Sequence, residues 1–428
     1  MNMSNLRDVR VVEAAGESSF VRPLGAFERM YYRFEQRRTM NFMVAAEFPM
    51  VLTEEQVQSA LRATQARHPL LRVHIQNDPA EGPAFHSPEI SSVPEVSLTV
   101  VKRDHRRWQS AASDEFLHKI DNSQAPLLRA TLVTGEAGST ILLTFSHVVA
   151  DGMSAVFILE DIVASLNGND LEPLPVPPTQ EELIAKVLPT LDASVLGDLP
   201  TPAPEMAALV SFEATGDSTP KVYACTVDSN LTAKIVSRCR AEKTTVQGLL
   251  VAAFSQVRSA HLGEEFVRVL TPINFRGLIG VEKDCADYIT AARTGSSPLD
   301  GSSIWDQARK VSEELSVPRS VTGVTVGSMA IQHLLPPDVS GEVVEGFMNA
   351  QLAHEMQVSN LGVLDFAPSG PIRPDAIWGP MILLTISNEV NSGITTFDGK
   401  LRIVTSSRVA EESFLDDVQA LLASAISE

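Results

Sequence analysis

The sequence predicts an α/β protein built as two sandwich domains. Its 428 residues are more than one simple core accommodates, since a domain commonly contains about 100–200 residues. Both halves run in the order strand, helix, strand, which indicates mixed α/β layers. Prolines gather at 173–178 and again at 200–204, between the halves. We therefore expect an N-terminal domain over 1–170, a crossover over 171–218 and a C-terminal domain over 219–428.

The first half begins with clear helix and strand signals. Thr53-Glu54-Glu55-Gln56 has the pattern of a capping box and predicts the start of a helix that ends before Pro69. The apolar run from Leu70 to Ile75 predicts a strand. Two further runs, Leu127 to Val133 and Thr140 to Phe145, flank a glycine-containing turn and predict a β-hairpin.

Helical spacing follows the hairpin, and the second half repeats the pattern. After Gly152, apolar residues recur at helical spacing, at Ala155, Val156, Leu159, Val163 and Leu166. Lys221 to Val227 predicts a strand, the run Thr244-Thr245-Val246-Gln247 caps a helix through Phe254, and Phe266 to Pro272 predicts another strand. Asp375 to Pro380 contains one large aromatic residue and is typical of a loop whose tryptophan packs against the core.

Composition and charge exclude several classes of protein. The chain is 44% hydrophobic and 20% charged, which is typical of a soluble globular protein. Its net charge of −19 argues against a nucleic-acid binder and against attraction to an anionic membrane surface. A local basic patch remains compatible with this net charge.

The cysteines and the apolar runs indicate a cytoplasmic protein. Cys225, Cys239 and Cys285 are widely spaced and form no C-x-x-C pair, so reduced thiols are expected rather than a disulfide framework or a zinc site. The sequence contains no run of 18 apolar residues, so we expect no membrane span. Residues 1–8 lack the apolar core of a signal peptide.

The run from Thr144 to Ser154 contains the pattern His-x-x-x-Asp-Gly at His147, Asp151 and Gly152. It lies where an apolar strand ends and a helix begins, a common place to expose a reactive side chain. An imidazole there can accept a proton at neutral pH. A lone histidine is more often a buried, hydrogen-bonded core residue, but this context favours catalysis.

Asp151 allows two interpretations. It can be the N-cap of the following helix, or it can pair with an arginine and hold the loop that carries His147. Arg276 follows a strand of the second half and is the candidate partner, although a surface arginine is equally compatible with its spacing.

Ser359 and Asn360 are further candidates, because their side chains can donate hydrogen bonds to an oxyanion, although both are also ordinary turn residues. The motifs of serine α/β-hydrolases, phosphate-binding loops, dinucleotide-binding domains and zinc proteases are absent from the sequence. His333 and His354 lack metal-ligand spacing, and His68 is predicted to cap a helix. We expect no metal.

Taken together, these residues resemble the CoA-dependent acyltransferase superfamily over nearly the whole chain. This group includes chloramphenicol acetyltransferase, plant BAHD acyltransferases, condensation domains of nonribosomal peptide synthetases and polyketide-associated acyltransferases. The similar segments are Arg67 to Arg72, Ser146 to Gly152, Thr244 to Phe254, Asn274 to Arg276 and Ser359 to Gly362. Length and the Ser-Asn-Leu-Gly run resemble the polyketide-associated subgroup.

The chain also departs from these relatives. Many condensation-type members have two successive histidines, and Ser146 occupies the first position here. The Asp-Phe-Gly-Trp-Gly segment of BAHD proteins is absent, and we assign no role to Asp375 to Pro380.

The resemblance implies two chloramphenicol acetyltransferase-like domains with a tunnel between them. It implies that His147 is the general base, that Asp151 and Arg276 form a structural pair, and that Gly152 permits close approach of backbone. Ser359 and Asn360 would then stabilise the oxyanion. General base catalysis contributes about 10²–10⁴-fold, and holding both substrates in one channel adds to it.

We therefore predict an acyltransferase that uses a CoA or carrier-protein thioester, has no bound cofactor, and forms an ester with a small-molecule alcohol. Amide formation with an amine acceptor is the first alternative. A catalytically silent module that binds a carrier protein or ligand is the second. A monomer is expected, because a two-domain chain contains the interdomain interface within itself.

Overall fold

The computed structural model of the chain describes residues 18–197, 203–212, 219–367 and 369–427. The strands within these ranges are β1 (Ser19–Pro23), β2 (Phe42–Phe48), β3 (His74–Asp78), β4 (Gly82–Ser87), β5 (Ser97–Lys102), β6 (Leu128–Thr134), β7 (Ser139–Phe145), β8 (Lys221–Val227), β9 (Val267–Asn274), β10 (Ile289–Ser296), β11 (Met356–Val363), β12 (Ala376–Ile382), β13 (Val390–Phe397) and β14 (Lys400–Ser407).

The helices alternate with these strands in both halves. The α-helices of the same ranges are α1 (Ala26–Glu35), α2 (Glu54–Arg67), α3 (Trp108–Glu115), α4 (Gly152–Leu166), α5 (Gln180–Val187), α6 (Pro204–Ala207), α7 (Ser229–Ala241), α8 (Val246–Leu262), α9 (Arg276–Ile279), α10 (Ile304–Glu314), α11 (Val321–Leu334), α12 (Gly341–Leu352) and α13 (Ser413–Ser427). Short 3₁₀ turns lie at Pro69–Arg72, Ile90–Ser92, His105–Arg107 and Ala193–Leu196. Among the helices of the described ranges, none is both long and apolar enough to cross a bilayer.

Two large sheets organise the chain. The first has the order β12-β2-β7-β6-β5, and the second has the order β10-β9-β11-β13-β14-β8. A three-stranded sheet, β1-β4-β3, flanks the first. Helices pack on the large sheets, so the predicted α/β class and the two sandwiches are confirmed.

Local signals placed the first-half helices correctly. The hydroxyl of Thr53 accepts from Gln56 N at 3.2 Å, and Thr53 N donates to the Gln56 side chain at 2.9 Å, as a capping box requires. Antiparallel pairing of β6 with β7 forms the predicted hairpin. The strand predicted from Leu70 to Ile75 is wrong in its first part. Pro69 starts a 3₁₀ turn there, and β3 begins at His74.

In the second half the predicted helix ends too early. The helix α8 continues past Phe254 to Leu262, where Gly263 ends it in a left-handed conformation at φ 69°. Its buried face joins α7, α10 and α13 in a core over the six-stranded sheet. The strands predicted at Lys221 and Phe266 correspond to β8 and β9.

One strand crosses between the halves. The segment Asp375 to Pro380, predicted to be a loop, contains most of β12, which pairs antiparallel with β2 in the first-half sheet. All seven residues of β12 are buried, and Gly379 and Pro380 interrupt the strand pattern in the sequence. Packing of Trp378 agrees with the prediction, because its ring lies 5.9 Å from that of Trp108 and both indole N–H groups donate to Glu47.

The predicted crossover, 171–218, is described only in part, because residues 198–202 and 213–218 lie outside the described ranges. Its described part contains α5, α6 and a 3₁₀ turn. Glu181, at the start of α5, accepts from Phe27 N at 2.9 Å and so fastens the crossover to α1. The domain boundaries themselves stay a prediction, with β12 built into the opposite sheet. Residues 1–8, whose sequence lacks a signal-peptide core, also lie outside the described ranges.

Candidate functional site

His147 lies just beyond the end of β7, where the chain turns into α4. Glu35 of α1 holds this turn in place. Its carboxylate accepts a hydrogen bond from His147 N at 3.0 Å and one from the Ser146 hydroxyl at 2.8 Å. Tyr31 and Phe42 pack against the imidazole, with ring centroids at 4.5 and 4.8 Å. The side chain is therefore held on three sides, and His147 as a whole residue is 8% exposed.

The second half supplies a buried carboxylate to this imidazole. Nδ1 of His147 lies 3.4 Å from Oδ1 of Asp287, which is slightly longer than an ordinary hydrogen bond. Both oxygens of Asp287 are buried, and neither accepts a hydrogen bond from the described residues. Since Nδ1 faces the carboxylate, Nε2 is the nitrogen available to substrate.

Burial and proximity shift the pKa values of both groups. Burial raises the pKa of Asp287 to about 7. Burial also acts to lower the pKa of His147, but the adjacent Asp287 outweighs it, so the pKa of His147 is raised above its usual value. The imidazole of His147 therefore holds its second proton more firmly than an isolated imidazole does.

Asp151 and Arg276 form a bidentate ion pair between the halves. The two contacts are 2.7 and 3.0 Å, and both side chains are buried. Asp151 is also the N-cap of α4, where it accepts from Ser154 N at 2.8 Å. Burial acts to raise the pKa of Asp151, but Arg276 outweighs it and the pKa is lowered. Both sequence interpretations of Asp151 therefore describe its contacts.

The ion pair also orders the segment that carries Asp287. Tyr288 N donates to Asp151 at 3.0 Å, and Arg276 donates to the carbonyl of Ala286 at 2.8 Å. Asp287 lies between these two anchored residues. Asp151 thus contacts Arg276 and the backbone of the segment that carries Asp287.

A cavity of about 750 Å³ opens beside His147. Its walls come from α1, β2 and α4 of the first half and from β9, β10, α11, α12 and β11 of the second. It lies between the halves, where the family resemblance implied a tunnel. Gly152 belongs to its wall, and a Cβ there would lie 2.8 Å from Cδ2 of Leu361, so the two halves approach closely at this glycine.

Ser359 and Asn360 line the same cavity from β11. Both residues lie within the strand β11. Their residue types, which are also common in turns, had allowed a turn at this position. Oδ1 of Asn360 accepts from Gly362 N at 2.9 Å, which fixes the amide and leaves Nδ2 as a donor. The hydroxyl of Ser359 has no hydrogen-bond partner among the described residues. The structure therefore brings all six predicted residues to one site.

Three residues of the site were missed by the sequence analysis. Asp287, Glu35 and Tyr31 are far from the motif in sequence and meet it through tertiary contacts. Asp287 lies just before β10, in a run with no recognisable motif.

His68 and His354 have partners away from the cavity, and the cysteines form no disulfide. Nε2 of His68 lies 2.6 Å from Asp161, and Nδ1 of His354 lies 2.6 Å from the carbonyl of Leu352. Burial lowers the pKa of His354 to about 4. The three cysteines are free thiols. Across the described ranges, His, Cys, Asp and Glu form no group of three suited to a metal ion.

Comparison with solved structures gives matches over nearly the whole chain. Polyketide synthase associated protein 5 from Mycobacterium tuberculosis superposes with a TM-score of 0.67 at 15% identity, covering 96% of this chain and 98% of that one. The first condensation domain of the calcium-dependent antibiotic synthetase, in complex with a substrate analogue, gives 0.65 at 16% identity, with the same coverage of 96% and 98%. The family model of the condensation domain matches residues 28–183.

The chain is therefore similar to condensation domains over residues 28–183, and it shares its fold with the solved structures named above. Its two lobes are chloramphenicol acetyltransferase-like, as the resemblance implied.

The curated relatives that match this chain are much longer proteins. Bacitracin synthase 2 of Bacillus licheniformis is 24% identical over 218 residues, which are 47% of this chain and 8% of that protein. One of the plipastatin synthase subunits of Bacillus subtilis (strain 168) is 22% identical over 309 residues, which are 68% of this chain and 12% of that protein. The chain therefore spans about a tenth of the length of these relatives.

Proposed function

We propose that this chain transfers an acyl group from a pantetheine thioester on a carrier protein to an amine acceptor, forming an amide. The observation that carries the proposal is the position of His147. Its imidazole lies on the wall of a cavity between two lobes, with a buried carboxylate 3.4 Å from Nδ1. A base placed in this way needs no second nucleophile, because a thioester is already activated.

His147 acts as the general base in this proposal. Nε2 removes a proton from the amine acceptor while the acceptor nitrogen forms a bond to the thioester carbonyl carbon. The tetrahedral oxyanion then collapses, the C–S bond breaks, and the departing thiolate receives the proton from Nε2. Asp287 keeps the proton of the neutral imidazole on Nδ1 and stabilises the imidazolium that forms during the step.

Ser359 and Asn360 are the proposed donors to the oxyanion. Both line the cavity that contains His147, and Asn360 has an amide donor that is free of other partners in the described residues. Donors that are held in place before the reaction stabilise the developing charge at low reorganisation cost.

Asp151 and Arg276 are proposed to hold the two lobes in register. Their bidentate contact joins the first turn of α4 to the segment before β10, and Gly152 lets that turn approach Leu361. Neither side chain takes part in proton transfer in this proposal. They position His147 and Asp287 relative to each other.

A carrier protein is the proposed source of the donor. Carrier proteins are usually acidic, whereas this chain has a net charge of −19. Lys102, Arg103, Arg106 and Arg107 form a basic surface group: all four are exposed, and none has a carboxylate partner among the described residues. Charge complementarity makes this group the proposed contact for the carrier. The same thioester on CoA is the comparison donor in the assay below.

Ester formation with a hydroxyl acceptor was the prediction from sequence, and it remains the second candidate. The likeness to condensation domains over residues 28–183 supports the amine. The geometry at His147 serves either nucleophile, because Nε2 can remove a proton from nitrogen or from oxygen.

The test is thiol release and product formation by wild type and His147→Ala. Acyl groups are offered on a carrier protein, on pantetheine and on CoA, with pooled amines or pooled alcohols. We expect release that requires both an acceptor and His147, with amide as the main product by mass spectrometry. His333→Ala is the matched control, because His333 is exposed on α11 and outside the cavity.

Two results would contradict the proposal. Unchanged turnover by folded His147→Ala would show that His147 is not the general base. Absence of turnover by wild type on every donor and acceptor, with carrier binding intact, would favour a silent binding module instead.

A further inference from the structure

The helix α11 has an apolar stripe that lines the cavity beside His147. Its sequence from Val321 to Leu334 contains no Asp, Glu, Lys or Arg. Gly327, Ala330, Ile331 and Leu334 line the cavity, and their spacing of three and four residues places them on one face. The buried residues of the same helix, Val324, Thr325 and Ser328, are different ones. One apolar face of α11 therefore packs in the protein, and a second faces the cavity.

The opposite walls continue this apolar surface. Phe347, Met348 and Leu352 contribute from α12, while Leu270 and Ile273 contribute from β9. A volume of about 750 Å³ lies within the range of small-molecule pockets, about 300–1,000 Å³. Because apolar surface facing water is unfavourable, such walls indicate an apolar occupant.

Charge in the lining narrows the occupant further. Among the described residues, no Asp, Glu or Lys lines the cavity, and Arg319, the arginine that does, is exposed. The nearby buried carboxylates have other roles: Asp151 is paired with Arg276, and Glu35 accepts from the turn at His147. Asp287 is not among the lining residues of the cavity and faces Nδ1 of His147. An ammonium placed among these walls would lose its hydration without gaining a counter-charge.

We propose that the cavity takes a neutral, apolar acyl group, such as a fatty acyl or aryl-acyl chain, and not an aminoacyl group with a free ammonium. This inference rests on the proposed function, since it assigns the acyl donor to that site. The acyl chain of the donor needs no ionisable group. An amine acceptor, in contrast, is protonated in water. The chain lies along the α11 stripe, with its thioester carbon at His147.

Filling the stripe tests this assignment. A Cβ at Gly327 would have Thr290 Oγ1 at 3.4 Å as its nearest neighbour, so a larger side chain has room to enter the cavity. Gly327→Leu should shift the preferred donor from long to short acyl chains in a competition between acetyl, octanoyl and palmitoyl thioesters. We expect a loss of about tenfold or more in kcat/KM for palmitoyl relative to acetyl.

Gly346→Leu is the matched control. Gly346 is also inside a helix, α12, but it is exposed and outside the cavity, and a Cβ at this position would have no described atom within 4 Å. It should leave the chain-length preference unchanged. Ala330→Leu, one turn along the same stripe, provides a second filling variant should Gly327→Leu fold poorly.

A binding measurement separates this inference from the proposed reaction. The probe is palmitoyl-pantetheine with its thioester sulfur replaced by NH, titrated calorimetrically into wild type, His147→Ala and Gly327→Leu. Weaker binding by Gly327→Leu but not by His147→Ala supports the apolar acyl site even without turnover.

Three outcomes overturn the inference. Equal binding of the probe by wild type and Gly327→Leu would be the first. Faster turnover of a donor with a free ammonium than of its N-acetylated form would be the second. A change of acceptor preference, with donor preference intact, would assign the cavity to the acceptor instead.

Discussion

Nδ1 of His147 lies 3.4 Å from Oδ1 of Asp287, and the two residues come from opposite halves of the chain. The imidazole follows β7 of the first sheet, whereas the carboxylate precedes β10 of the second. The pair is therefore assembled by the contact between the lobes. Any change that shifts one lobe against the other alters the distance between the proposed base and its carboxylate.

Asp287→Asn should lower kcat and move the acid limb of the pH–rate profile to lower pH. The base works when His147 is neutral, so activity falls below its pKa. Asp287 raises that pKa against the opposing effect of burial. Removing the carboxylate leaves burial, which lowers the pKa. We expect a loss of about 10-fold or more in kcat, with the limb displaced downward, measured from pH 5 to 9.

Asp284→Asn is the control for this change, because it alters the same chemical group three residues away on a partly exposed side chain. It should leave the acid limb in place. An acid limb that stays unmoved in Asp287→Asn, in a folded protein, would show that Asp287 does not tune the base.

Asp151→Asn should destabilise the fold more than it alters proton transfer. It leaves Arg276 buried without its counter-charge, and breaking a buried pair in this way costs about 3–5 kcal/mol. Denaturant unfolding at pH 7 measures the loss. We expect the acid limb of the pH–rate profile to move by much less than one unit.

The same substitution has a defined pH dependence of stability. The pKa of Asp151 is lowered in the folded state, so its contribution is present above the unfolded-state pKa of about 3.9. That contribution is lost as the pH falls through the folded-state pKa. The stability gap between wild type and Asp151→Asn should therefore narrow at strongly acidic pH. Wild-type stability at pH 7 with a limb shifted by a full unit would reverse the assigned role.

Ser359→Ala and Asn360→Asp should lower kcat with little change in KM. The first removes a hydroxyl donor, and the second keeps the oxygen that accepts from Gly362 N while removing the amide donor. Loss of one oxyanion donor costs about 10²–10³-fold in kcat. Steady-state kinetics with a saturating acceptor measure this. If Asn360→Asp retained wild-type kcat, the oxyanion would have to be held elsewhere.

Arg106→Glu with Arg107→Glu should raise KM for a carrier-borne donor several-fold and leave KM for the pantetheine thioester unchanged. Both side chains belong to the basic surface group and lack carboxylate partners among the described residues. Rising salt should weaken the wild-type interaction in the same direction. Lys234→Glu with Lys400→Glu is the control, since both lysines are exposed in the second half. Parallel loss with both donors would place the defect in the fold rather than in docking.

Elements with local signals were predicted well from sequence. The capping box at Thr53, the hairpin before His147 and the N-cap at Thr245 depend on neighbouring residues, so a single sequence contains their determinants. The His-x-x-x-Asp-Gly motif is local too, and its three residues lie together at the start of α4.

Features that depend on distant contacts were not predictable in the same way. Asp287 has no motif around it, and its importance arises from the imidazole of the other lobe. The strand β12 was interpreted as a loop because a glycine and a proline interrupt its pattern, at Gly379 and Pro380. Its pairing partner, β2, lies more than 300 residues earlier in the chain, as the pair Trp378 and Ala45 illustrates.

The placement of β12 has a consequence for how the chain can be divided. Without it, β2 would be an unpaired outer strand with backbone donors and acceptors open to another chain. A fragment that ends in the crossover would therefore expose the unpaired edge of β2 and tend to aggregate. Expression of the lobes as separate polypeptides should succeed only when the second lobe is present to supply β12, which makes the two lobes one unit of folding.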